Sequence, residues 1–129
     1  MPRNAEDVET FLYRLNRNFE RSEESLFLVA SGDDGPPVAV YVNDPIVVVS
    51  VDIGPVPKDE RRHLMLFRQL LEFNAKLVHA SYALEDGEVT LGSGLALENI
   101  DQNEIAAVLS DIDLALALHM SKLRELMME

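Results

Sequence analysis

The chain predicts an α+β domain, an antiparallel sheet packed with helices in the order α-β-β-β-α-β-β-α. Three observations carry this. Apolar residues recur at helical spacing in three segments, one near each end and one in the middle. Between them lie short β-branched runs separated by turn residues, one pair of which is joined through Asp-Gly. The chain has 129 residues, 47% hydrophobic and 26% charged. That size and balance predict a single globular domain over 1–129.

Val8, Phe11, Leu12, Leu15 and Phe19 form one stripe, which predicts a first helix over 5–20. Asn4 is placed to be its N-cap, with Glu6 and Asp7 where the helix dipole favours acids. Three strands are expected next, over 26–31, 38–42 and 46–53, joined as an antiparallel meander. Gly32-Asp33-Asp34-Gly35-Pro36-Pro37 separates the first two. Asn43-Asp44 turns the chain again, and Pro45, which has no N–H to give, suits a strand start. After Gly54-Pro55-Val56-Pro57 a second helix is expected over 58–76. Leu64, Phe67, Leu70, Leu71 and Asn74 trace one of its faces, and Met65, Leu66 and Phe73 widen the apolar surface. Strands over 78–84 and 89–97 flank Glu85-Asp86-Gly87-Glu88 as a hairpin, with Gly92 and Gly94 suggesting a bulge or a close approach. The last helix, over 102–126, opens with Asp101 and Glu104 at capping-box spacing.

Composition narrows function. The formal charge is −12, and no Lys or Arg occurs between Ser22 and Pro57 or between Leu77 and Ser121. Such a surface repels phosphate backbones and anionic lipid, so neither nucleic acid nor membrane is an expected partner. The N-terminus lacks a signal-peptide pattern and no apolar run is long enough to span a bilayer, so a cytoplasmic location is expected.

The chemistry of catalysis is hard to find. Cys is absent, which removes thiol catalysis and thiolate metal sites. His63, His79 and His119 are isolated from one another, with no ligand-type residue three or four positions after any of them. The acids beside Gly32, Gly35 and Gly87 do not have calcium-loop spacing and read as turns. Gly92-Ser93-Gly94 lacks the Lys and helix opening of a phosphate loop. Ser31, Ser50, Ser81 and Ser93 lie in strand patterns without a nucleophile elbow. The chain is therefore expected not to be an enzyme and to need no metal or cofactor.

Protein binding is the expected role. The run 46–49 is apolar on both sheet faces, so the face bearing Val47, Val49 and Val51 needs either a helix or a protein client to cover it. An open sheet also has edges that can accept a strand from another chain. Phe67, Leu70, Leu71 and Phe73 on the second helix make a homodimer seam or a core-packing face.

The second helix closes with Leu70-Leu71-Glu72-Phe73-Asn74-Ala75. A strand pair follows, then Leu95-Ala96-Leu97-Glu98-Asn99-Ile100-Asp101 ahead of the last helix. In this succession, and over nearly its whole length, the chain resembles type III secretion chaperones of the Tir chaperone (CesT) family and YbjN-like proteins. The resemblance implies a type III secretion chaperone-like fold and a cytoplasmic bacterial homodimer. Such a protein would bind an extended segment of a client, a secreted effector in that family, and hydrolyse nothing. The long turn at Asp33-Asp34-Gly35-Pro36-Pro37 departs from the family pattern. It leaves a second reading open, a YbjN-like regulatory or adaptor protein that binds a folded partner.

Overall fold

The computed structural model describes residues 3–32 and 35–128. Three helices and six strands follow in the order α1 (Ala5–Arg14), β1 (Phe19–Glu23), β2 (Leu26–Val29), β3 (Val38–Asn43), β4 (Ile46–Pro55), α2 (His63–Asn74), β5 (Ser81–Glu85), β6 (Glu88–Ala96) and α3 (Gln102–Met127). A short 3-10 turn, Glu60–Arg62, leads into α2. All strands are antiparallel neighbours in the sheet order β1-β2-β3-β4-β6-β5. The α+β architecture and the predicted succession of elements hold, with one strand added before the predicted three.

The added strand comes from residues expected in the first helix. The α1 helix starts as predicted, with Asn4 and Asp7 in a reciprocal capping box. It ends at Arg14 because Asn16 takes the left-handed conformation, φ 61°, which a short amide side chain tolerates. Phe19 then leaves the helix register and packs edge-on against Tyr13 and Phe27, at centroid distances of 4.9 and 6.0 Å. Arg21 of β1 reaches back to Glu6 and Glu9 of α1, at 3.1 and 3.5 Å.

The sheet buries one face. Phe27 and Val29, Val38, Val40 and Val42, Val47, Val49 and Val51, Tyr82, and Val89 and Leu91 alternate inward. They join Val8, Leu12, Leu66, Leu109 and Ile112 from the three helices in one core. Val47, Val49 and Val51 are 0, 0 and 1% exposed. This corrects the expectation that they meet a client. The strand period of two sends these three residues toward the helices and Val48, Ser50 and Asp52 to the opposite face. Leu70 is likewise a core residue, 6% exposed, and not part of a dimer seam.

Candidate functional site

The surfaces open to a partner are two sheet edges, the outer sheet face and one flank of α2. The edges differ. At β5 the side chain of Asn74, the last residue of α2, occupies the place a further strand would take. Its Oδ1 accepts from the Tyr82 N–H at 2.7 Å and its Nδ2 donates to the Tyr82 carbonyl at 3.2 Å. One amide thereby satisfies both outward backbone groups of Tyr82, which blocks strand addition at that residue. The approach to β5 is pinned as well. Asp111 Oδ2 on α3 accepts from the backbone N–H groups of Val78, His79 and Ala80, at 3.1, 2.6 and 3.0 Å. Residues 78–80, expected in a strand, form a bend held by this carboxylate. At the other side of the sheet, β1 pairs only with β2.

Among the described residues no helix lies over the outer face. Reading across the strands, one row is Glu20, Leu28, Ala39, Ser50, Gly92 and Ser81. The next holds Leu26, Tyr41, Val48 and Gly94. Ile46 and Tyr41 are exposed there. Ser50, Ser81, Thr90, Gly92 and Gly94 line a shallow groove on this face. Gly92 is dictated by packing, since a Cβ there would sit 2.2 Å from the Val49 carbonyl oxygen. No such contact explains Gly94, where a Cβ would meet nothing within 4 Å.

The outward flank of α2 is apolar. Leu64, Met65 and Leu71 are 77, 62 and 69% exposed. Leu64, Phe67, Leu71 and Ala75 line a concave strip bordered by Arg68 and Glu72. Of the residues expected at a dimer seam, Phe67 and Leu71 lie on this strip. Phe73 is half-buried instead, its ring stacked on His119 at 3.7 Å and 3°.

That stack belongs to a joint between α2, β5 and α3. The Tyr82 hydroxyl lies 2.8 Å from His119 Nδ1, and with the imidazole neutral it donates to that nitrogen. Burial raises the Tyr82 phenol well above its usual range. Burial, and secondarily the Lys76 ammonium, lowers His119 below its ordinary 6.5. The folded chain thus disfavours the imidazolium, and the unfolded chain takes up the proton first as pH falls. His119 contributes stability above about pH 6.5, the unperturbed imidazole value, and loses it below. His119→Phe keeps the stacking and cannot titrate. Urea unfolding of both proteins is expected to show the wild type losing stability relative to His119→Phe as pH drops through that window. A constant difference would mean the imidazole is equally hydrated in both states.

Among the described residues no cluster of His, Asp and Glu could hold a metal ion, and no helix is long and apolar enough to cross a membrane. The geometry offers surfaces for protein contact.

The CesT_Tir_1 family model matches residues 1–129. Among curated proteins no match is found. The fold is similar to that of a chain in the heterodimeric ExoU–SpcU complex of the Pseudomonas aeruginosa type III secretion system, with TM-score 0.69 and 18% identity, covering 94% of this chain and 98% of that one. It is similar to the Yersinia pestis type III secretion chaperone SycH, solved with a fragment of YscM2, with TM-score 0.58 and 21% identity over 88 and 98% of the two chains. It is also similar to YbjN of E. coli, described as a putative transcription regulator, with TM-score 0.59 and 15% identity over 88 and 92%.

Proposed function

This chain belongs to the CesT_Tir_1 family, and we propose that it is a non-enzymatic, chaperone-like protein that holds an extended segment of a client as a homodimer in the cytoplasm. The observation that carries this reading is the asymmetry of the sheet. The β5 edge is blocked at Tyr82 by Asn74, while β1 has a neighbour on one side only. An extended client strand can bond its main chain to β1 and lay side chains beside the bare outer face. The ExoU–SpcU and SycH–YscM2 complexes, which share the fold, support a protein partner. The likeness to type III secretion chaperones makes a secreted protein the proposed client.

The dimer is assigned to α2. A strip containing Leu64, Phe67 and Leu71 is self-complementary when two copies meet about a two-fold axis. Leu71→Asp places a charge in that contact without touching the core. Burying it unpaired costs several kcal/mol, so the dimer is expected to dissociate at least about a hundredfold more readily. Light scattering should then give a monomer with an unchanged circular dichroism spectrum. A dimer that survives the substitution would place the seam elsewhere.

Client holding is tested by capturing the client from native cells and mapping the protected part by limited proteolysis. A protected segment that is unfolded when isolated supports the proposal. A complex formed only with a folded domain would replace it with the YbjN-like adaptor reading, which the likeness to YbjN keeps in view.

A further inference from the structure

The outer sheet face is divided in charge. Strands β2 to β6 contain no Lys or Arg. At the β5–β6 turn end of the face, Glu85 and Glu88 stand directly opposite each other, and Asp52 projects from β4 one row away. Like charges facing across a ladder destabilise it. Neither Glu85 nor Glu88 forms an ion pair among the described residues, and Glu88 Oε2 is buried with no hydrogen-bond partner. At the other end of the same face lie Leu26, Tyr41, Ile46 and Val48. The floor between is the small-residue groove through Ser50, Gly92 and Gly94.

We propose that this face receives a basic, extended peptide segment of the client, with a Lys or Arg over Glu85 and Glu88 and an apolar side chain over Tyr41 and Val48. This rests on the client-holding reading and adds the chemistry of the client. The cation pairs with the exposed Glu85 carboxylate and relieves the Glu85–Glu88 repulsion. The apolar residue covers the hydrophobic end. On β6 the Glu88 row and the Gly94 row, which holds Val48, are six residues apart, about 20 Å along the strand. The segment therefore carries its basic and apolar residues on one side, about six positions apart.

The probe is a fluorescein-labelled peptide, two copies of Ser-Lys-Ser-Ala-Ser-Ala-Ser-Val in tandem, and its counterpart with Glu for Lys. Fluorescence anisotropy is expected to show the Lys peptide binding at least tenfold tighter than the Glu peptide. Glu85→Gln with Glu88→Gln should lose about tenfold, whereas Glu72→Gln with Glu125→Gln, an equal charge change on the helices, should not. Gly94→Arg fills the groove where a side chain meets nothing, and should abolish binding with the fold intact. If that variant does not fold, the glutamine pairs decide alone. Equal loss in both glutamine pairs would reduce the effect to net charge and overturn the site. Client retained equally by wild type and Gly94→Arg would overturn the face and leave client holding standing. Failure of the wild type to hold any client segment would instead remove the reading beneath it.

Discussion

Val49→Asp is expected to abolish cooperative unfolding altogether, leaving a chain without a fixed tertiary structure. Val49 is fully buried on the central strand β4, paired with Val40 on one side and Ser93 on the other. Replacing it forfeits about 1.5–3 kcal/mol of apolar burial. The larger cost is an unpaired carboxylate in the core, several kcal/mol more. Together these rival the whole stability of a domain this size, about 5–15 kcal/mol. Val48→Asp, one residue away, points to the outer face and should stay within about 1 kcal/mol of wild type. Circular dichroism on heating separates the two. A cooperative transition in Val49→Asp near that of the wild type would mean the helices do not cover this face.

The same pair shows what was legible in the sequence. A run of four apolar residues, Ile46 to Val49, does not say which face is inward. Ser50 and Asp52, on the same parity as Val48, carry that information. Polar residues at alternate positions mark the solvent side, so Val47, Val49 and Val51 belong inside. The starts of the first and last helices were legible because their caps are local chemistry, Asn4 with Asp7 and Asp101 with Glu104, whereas the second, expected from 58, begins at His63 after the 3-10 turn and has no side-chain cap. The end of α1 was obscured because Phe19 keeps helical phase with Leu15, while Asn16 turns the backbone away. The surplus of apolar residues on the second helix was visible, but its division was not. Leu70 goes to the core and Leu71 to solvent, a matter of one hundred-degree step around the helix.

Asn74 and Asp111 gave no local signal, because their partners lie 8 and about 32 residues distant and are backbone groups. For Asp111 this has a large expected consequence. Asp111→Ala removes one acceptor shared by three N–H groups. Hydrogen bonds to a charged group contribute about 1.5–3 kcal/mol each, and water can replace the two in exposed positions. The net loss is expected to be about 2–3 kcal/mol, read as a lower urea midpoint with an unchanged slope. Asp111→Asn keeps an acceptor oxygen and should lose about half as much. The damage should be local first. With residues 78–80 released, the amides of β5 should exchange with solvent faster than those of β3 and β4, because Tyr82 must hold its place on Asn74 without the pinned approach. If Asp111→Ala unfolds at the wild-type midpoint, the β5–β6 ladder and Asn74 hold this edge by themselves.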